Sequence, residues 1–414
     1  MFQNDKMHRA LNWASDLSLL ACLFLEIVFA HTLVSQASML VFFLFTALLM
    51  LRQKRVHLSW WMGVSALLIL WSAVVSFGWA YDRAASLGMV KTLVVTTAFL
   101  FFLFQYLLLR ADLKRFLAIY VVSALLMVGY LYAKEYMLPW SVTRLGAADG
   151  VHPNLVGLVS AFAFGACVVL AGAKKRLLWL LPMPVLLAAI ALTVSFKSVA
   201  LAGGLLVVLL LVRFPRNWGW KLGGLAVLGL LGFYVVVLSE NPLSMGALAH
   251  VREVALFALK GEGVGGSTSE RLSLIQAAWN WFAQRPLTGW GLGCFRFLEG
   301  SLGMYSHNNY MELLVSGGIP MALIYYAGQV GALVYAAREI KRAKANDPAD
   351  EHKEERQMVI VFCVMFAARF VLDLAVVSYY ERQDTIFFLL LIAAARLLSL
   401  SRGKNTERNL EHAK

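Results

Sequence analysis

One histidine of this sequence stands where a general base would be useful. His307 lies in the run 305–309, where a polar loop meets an apolar stretch with helical character. A histidine at the start of a helix faces the positive end of the helix dipole, which favours the neutral imidazole. Such an imidazole can accept a proton, and the same helix end can hold an anion. The alternative is a structural histidine that caps the helix and hydrogen-bonds Tyr305 or Asn309.

Several positively charged residues could supply an anion site. Lys197 lies in a short hairpin between two apolar runs, and Arg271 opens a predicted loop helix. Cations that converge on one point bind a phosphate or diphosphate through charge-assisted hydrogen bonds. Further basic side chains are predicted to lie with these two at the outer face of a membrane. They are Arg83, Lys91, Arg144 and Arg285. The alternative is that these side chains bind no anion, and that each only extends its charged group to the membrane surface.

The acidic residues predicted for this face do not form a metal-site pattern. They are Asp82, Glu135, Asp149, Glu240, Glu253, Glu262, Glu270, Glu299 and Glu312. No Asp-x-Asp pair occurs among them, so we predict a reaction without a metal ion. The glycines at 289, 291 and 293 do not follow a strand, as a dinucleotide-binding loop requires, so no cofactor is predicted.

The composition indicates the elements that must position these side chains. Of 414 residues, 60% are hydrophobic and only 15% are charged, and the mean hydropathy is +0.70. A transmembrane helix needs about 20 apolar residues, so the chain is predicted to be an all-α polytopic membrane protein with about twelve spans. The first apolar run continues without a small-residue cleavage site, which favours a span over a signal peptide. The predicted spans are 13–32, 37–51, 58–79, 87–109, 116–134, 154–172, 177–194, 198–213, 222–239, 314–337, 358–378 and 384–400.

The distribution of charge predicts the orientation of these spans. The net charge is +13, but Lys and Arg fall mostly in short clusters on alternating loops, which indicates membrane topology and not nucleic-acid binding. Both termini are then cytoplasmic. The predicted segments are nine spans over 1–239, an outer loop domain over 240–313, three spans over 314–400 and a cytoplasmic tail over 401–414.

The outer loop is predicted to contain two helices. Residues 243–260 have an apolar stripe at helical spacing. The run from Ser267 to Glu270 fits a capping box, so a second helix should begin there and end near Arg285, because Pro286 disfavours a helical residue before it. Both helices are apolar enough to rest on a membrane surface.

The motif set of the loop resembles that of bacterial O-antigen ligases and polymerases. The residues that carry the resemblance are Arg271, Trp279, Pro286, Gly289, Gly291, Gly293, His307, Asn308, Glu312, Gly317 and Gly318. Lys197 is similar to an upstream basic position of the family that is more often arginine. The triplet His152-Pro153-Asn154 is similar to a proline–asparagine element before a middle span.

The resemblance implies a GT-C-like glycosyltransferase fold in the bacterial inner membrane, with a periplasmic active site. Its ligases transfer O-antigen from undecaprenyl diphosphate to the lipid A–core oligosaccharide, with inversion and without a metal or cofactor. His307 and Arg271 would then be catalytic. The donor diphosphate would contact Lys197, Arg271, Arg83, Lys91, Arg144 and Arg285. The residues that could orient the base or the acceptor are Asn308, Glu312 and Tyr305.

Two groups of alternatives remain open at this stage. Within the same superfamily, the chain could be an O-antigen polymerase or a protein O-oligosaccharyltransferase. In another class, it could be a transporter or flippase for lipid-linked sugars. Transporters tend to show repeats and broken helices in matching halves, and neither pattern is evident in the sequence.

Overall fold

The computed structural model describes residues 2–30, 32–138, 143–171, 177–213, 219, 234, 266–345 and 352–412. All regular secondary structure within these ranges is helical. The α-helices are α1 (Phe2–Val28), α2 (Leu33–Gln53), α3 (Trp60–Gly78), α4 (Arg83–Arg110), α5 (Leu113–Glu135), α6 (Pro153–Ala171), α7 (Pro182–Leu192), α8 (Phe196–Arg213), α9 (Gly266–Gln284), α10 (Asn309–Ala345), α11 (Lys353–Leu372) and α12 (Arg382–His412). Two 3₁₀ turns lie at Leu177–Leu180 and Phe295–Phe297.

Among the described residues, eight helices are long and apolar enough to cross a membrane. They lie in α1 to α6, α10 and α12, and two shorter apolar helices cover Leu178–Leu192 and Lys197–Leu210. The chain is therefore a helical, multi-pass membrane protein, as its composition predicts. Helix α11 occupies most of the predicted eleventh span but is not among the eight. The predicted ninth span, except Tyr234, lies outside the described residues, so the number twelve stays a prediction.

The chain forms two compact units, and each is built from two stretches of sequence. The first unit combines Met1–Lys54 with Leu109–Gly265, and the second combines Arg55–Leu108 with Gly266–Lys414. The segments predicted from hydropathy are instead continuous stretches of the chain. They describe membrane topology and not compact units, so they stay a prediction.

Helix α6 is the centre of the first unit. Every residue from Val156 to Leu170 is buried, and the helix packs against α5, α7 and α8. Gly157 allows the closest of these approaches, because a Cβ atom at this position would overlap Ser198 Oγ in the first turn of α8. The absence of a side chain at Gly157 thus seats the helix start that carries Lys197.

Helix α10 is the centre of the second unit, where it packs against α3, α9, α11 and α12. The helix is broken at Gly318, whose backbone has φ 70° and ψ −171°. Pro320 then lies in the first turn of the following piece, where the missing N–H costs no helical hydrogen bond. The backbone N–H of Ile319 donates to Pro286 O at 2.8 Å, so a neighbouring loop satisfies the new helix start.

The glycine-rich turn at 289–293 satisfies the other side of the break. Trp290 N donates to Val315 O at 2.8 Å and Gly291 N donates to Ser316 O at 2.9 Å. Gly289 has φ +66°, and a Cβ atom there would lie 2.5 Å from the carbonyl carbon of Ser316. Glycine is therefore required both by the backbone conformation and by the close approach of two backbones.

The second predicted loop helix is observed as α9, one residue earlier than its expected first residue. It ends at Gln284, directly before Arg285 and Pro286, for the reason expected from the proline. The predicted helix at 243–260 lies outside the described residues.

Candidate functional site

The histidine singled out from the sequence lies in a tight loop before α10. His307 is half-buried and has a left-handed backbone with φ +55°. Its ring lies beside that of Tyr305, with 4.2 Å between the ring centroids. A non-glycine residue with positive φ costs of the order of 1 kcal/mol or more, and such strain persists only where the surrounding structure enforces it.

Hydrogen bonds on both sides of His307 hold this backbone. Ser306 N donates to Glu312 Oε2 at 2.9 Å, and Ser306 Oγ donates to Asn308 O at 2.9 Å. Met311 N donates to Asn308 Oδ1 at 3.0 Å, so the side chain that caps α10 is that of Asn308. Helix α10 therefore begins five residues before the predicted start of the tenth span, because the cap and not the first apolar residue sets the boundary.

Glu312 is almost completely buried, and its carboxylate binds the loop backbone through Ser306. The sequence pointed to Glu312, Asn308 and Tyr305 as groups that could orient the base. The structure brings all three to the loop of His307, two by backbone hydrogen bonds and Tyr305 by ring contact. Their effect on the reaction stays a prediction.

Arg271 lies in α9 and belongs to the surroundings of Tyr305. Burial raises the pKa of Tyr305, the negative charge of Glu381 raises it further, and the positive charge of Arg271 opposes this effect. The second unit thus gathers a histidine, a tyrosine, an arginine and two carboxylates, those of Glu312 and Glu381. Sequence analysis did not single out Glu381, because no short-range pattern connects it to the loop.

Arg285 is held by aromatic and backbone partners. Its guanidinium carbon lies 3.8 Å from the centroid of the Trp290 ring, and Nη1 donates to Trp79 O at 3.4 Å. Because α9 ends at Gln284, Arg285 lies beyond the helix and not on a helical face shared with Arg271. The end of the helix at this point agrees with the proline that follows Arg285.

Arg83 and Lys91 lie on the first turns of α4. Both side chains are exposed, and the guanidinium carbon of Arg83 lies 5.0 Å from the centroid of the Phe77 ring. Their predicted contact with a donor diphosphate is not tested by this geometry.

The first unit contains a cationic cluster around the start of α6. Arg144 Nε donates to Thr193 O at 2.7 Å, and Nη2 donates to Asn154 Oδ1 at 3.0 Å. Partial burial lowers the pKa of His152, and the positive charges of Arg144 and Lys197 lower it further. Arg144, Lys197 and His152 are therefore neighbours. The sequence presents Lys197 and His152 in two separate motifs and does not indicate this proximity.

A buried carboxylate fixes the loop that carries Arg144. Glu135 accepts hydrogen bonds from the backbone N–H groups of Gly146, Ala148 and Asp149 at 2.9, 3.1 and 3.3 Å. Three donors of this kind satisfy the charge of a buried carboxylate. The charge of Glu135 is thus used within the loop, which leaves Arg144 directed to the α6 and α7 ends.

Comparison with known families identifies part of the chain. Residues 181–326 match the model of the O-antigen ligase family. Over this range the chain is similar to the O-antigen ligase family. The resemblance noted from the sequence is confirmed over this range, and members of the family are membrane glycosyltransferase-like enzymes. A search among curated proteins gives no match.

The matched range contains most of the predicted site residues. Those within the matched range are Lys197, Arg271, Arg285, Tyr305, His307, Asn308 and Glu312. Arg83, Lys91 and Arg144 lie before it, so their assignment rests on charge alone. The matched range also includes the glycine-rich turn and the break in α10.

Proposed function

We propose that this protein is an O-antigen ligase of the bacterial inner membrane. It transfers O-antigen polysaccharide from undecaprenyl diphosphate to the lipid A–core oligosaccharide at the periplasmic face. The family match over 181–326 supports the reaction class, and the apolar helices agree with lipid-anchored substrates. The match to the family does not by itself separate a ligase from a polymerase.

The observation that carries the catalytic part of the proposal is the loop of His307. His307, with a left-handed backbone and a half-buried imidazole, lies before the first residue of α10, in a loop hydrogen-bonded on both sides. Strained backbone is concentrated at functional sites, because it holds a side chain where relaxed backbone would not.

The chemistry follows from the substrates. The acceptor hydroxyl oxygen attacks the anomeric carbon and forms the new glycosidic bond, while the bond from that carbon to the phosphate oxygen breaks. The electron pair leaves with undecaprenyl diphosphate, and the hydroxyl proton passes to the imidazole of His307. General-base catalysis of this kind contributes a factor of about 10² to 10⁴ in rate. The anomeric centre is inverted because attack and departure occur on opposite sides.

Positive charge is needed at the diphosphate, where negative charge increases as the bond breaks. We assign this role to Arg271 and Lys197, with contributions from Arg83, Lys91, Arg144 and Arg285. A charge-assisted hydrogen bond contributes about 1.5–3 kcal/mol, so loss of Arg271 should lower the rate by at least about tenfold. No metal ion or cofactor is required, because a diphosphate is already a good leaving group.

Reconstitution tests the proposal directly. Purified protein should join lipid-linked O-antigen to lipid A–core without an energy source, a metal ion or another protein. His307→Ala and His307→Gln should both abolish ligation while they retain donor binding. A matched control is His57→Gln, a histidine of the same unit outside this loop, which should ligate at the wild-type rate.

Two results would overturn the assignment. If His307→Gln ligates at the wild-type rate, the role of His307 is hydrogen bonding and not proton transfer. In cells, a deletion strain that carries a single O-antigen repeat on its core would indicate a polymerase instead. A ligase deletion is expected to give rough lipopolysaccharide and to accumulate polymerised lipid-linked O-antigen.

A further inference from the structure

The residue after the α10 cap, Asn309, has a side-chain amide that makes four hydrogen bonds. The Asn309 side chain is completely buried, and its Oδ1 accepts hydrogen bonds from Ser378 N at 2.9 Å and Tyr379 N at 3.1 Å. Its Nδ2 donates to Tyr326 Oη at 3.1 Å and to Asp373 Oδ2 at 3.3 Å. One side chain thus ties the start of α10 to the segment that follows α11.

Asp373 is the second centre of this network. The Tyr326 hydroxyl donates to Oδ2 at 3.0 Å, and the Ser378 hydroxyl donates to Oδ1 at 2.6 Å. Arg369 Nη1 lies 3.6 Å from Oδ1, so the two residues form an i,i+4 ion pair. A buried carboxylate with this many donors is held in one position, because the loss of any partner leaves a buried polar group unsatisfied.

The network also binds the backbone beside the strained histidine. Asn309 N donates to Asp373 O at 2.7 Å, and Asn308 Nδ2 donates to Leu374 O at 3.3 Å. Together with the Ser306 bonds, these contacts fix the chain before and after His307. A left-handed residue between two anchored neighbours cannot relax unless one of the anchors moves.

We propose that Asn309, through its contact with Asp373, is a positioning residue that holds the imidazole of His307 in its working orientation. This inference rests on the proposed function, because it assigns a role to Asn309 only through the base. The Asn309 amide acts by fixing the segment 373–379 against the α10 start. It makes no contact with substrate.

An exchange of the two side chains tests the inference. Asn309→Asp places two carboxylates together without a donor, and Asp373→Asn removes the acceptor charge. Each change should lower kcat about 100-fold with a donor KM within about twofold of wild type, because a base displaced by about 1 Å loses rate and not donor affinity.

The double exchange, Asn309→Asp with Asp373→Asn, restores a donor facing an acceptor. The amide introduced at position 373 can donate to the carboxylate introduced at position 309. That carboxylate can still accept from the backbone N–H of Ser378. The double variant should therefore return kcat to within about tenfold of wild type.

A milder variant and a matched control keep the test decisive. Tyr326→Phe removes the hydroxyl that bridges the pair but keeps the ring stacked on Tyr310, and should lower kcat about tenfold. The control is Gln105→Ala, which removes another completely buried amide of the same unit, one that bonds only the backbone of His57. It should lower the melting temperature without a change in the kcat of the folded fraction.

The outcomes separate the two proposals. Loss of activity in His307→Ala together with wild-type kcat in the folded network variants refutes the positioning role alone. An exchange variant that is folded but no faster than the single variants refutes it as well. Wild-type ligation by His307→Ala overturns the base and the positioning role together. Reduced kcat at constant KM, with recovery in the exchange, supports the inference.

Discussion

Gly289 offers the sharpest test of how the glycine-rich turn supports α10. Gly289→Ala adds one methyl group where the backbone has φ +66° and where the new Cβ atom would lie 2.5 Å from both C and O of Ser316. Gly303→Ala is the matched control, because Gly303 has φ +75° but no heavy atom within 4 Å of the added Cβ. The two variants share the conformational strain and differ only in the overlap.

The magnitude follows from this difference. Placing a non-glycine residue in the left-handed region costs about 1–2 kcal/mol in either variant. Overlap in a packed region adds about 1–3 kcal/mol, and the neighbours of Gly289 are backbone atoms that cannot rotate away. We therefore expect a gap of about 2 kcal/mol in the free energy of unfolding. For a unit of this size, that gap corresponds to a melting temperature lower by about 4–8 °C.

The assay is thermal unfolding of the two purified proteins and the wild type in the same detergent, followed by ligation below the melting temperature. Gly303→Ala should melt slightly below wild type and ligate normally. Gly289→Ala should melt well below both and lose ligation at temperatures where it is still folded. Equal melting temperatures for the two variants would show that the 289–316 contact is not tight, and the account of the broken helix would be wrong.

Three further predictions concern topology, charge and pH. With Glu262→Cys and Pro348→Cys in intact cells, an impermeant thiol reagent should label only position 262; labelling at 348 alone would invert the topology. Lys197→Arg should keep more ligation than Lys197→Ala, and equal activity in the two would remove the need for charge there. The pKa of His152 is lowered from its ordinary value of 6.5, so the unfolded chain binds a proton at a higher pH than the folded protein. The stabilisation from neutral His152 is thus complete above about pH 6.5 and lost as the pH falls through the folded pKa, and His152→Gln should flatten the fall in melting temperature between about pH 7 and pH 5.

Local pattern was sufficient for the elements and for the ends of the loop helix. Hydropathy predicted the apolar helices, and Pro286 predicted the end of α9. The i,i+4 spacing of Arg369 and Asp373 is a local pattern of the same kind, and the two residues form an ion pair. Each of these inferences depends on residues within one turn or one element.

Contacts between residues far apart in the sequence could not be predicted from local patterns. Asn309 and Asp373 are bonded although 64 positions separate them, and nothing in either local sequence indicates the other. The break at Gly318 was not predicted, because a hydropathy profile averages across it. The sequence Gly-Gly-x-Pro at 317–320 was the available signal for that break.

The division of α10 at Gly318 changes what the two pieces need to do. At 1.5 Å per residue, the piece after the break extends for about 40 Å, which exceeds the ~30 Å of hydrocarbon and can cross a bilayer unaided. The piece before it extends for only about 13 Å and does not need to cross the bilayer. It therefore sets the distance and the rotational angle between the break at Gly318 and the loop of His307. Deletion of one residue from 310–316 would turn Asn309 by about 100° relative to the break without shortening the longer piece, so the two pieces of one helix can be changed independently.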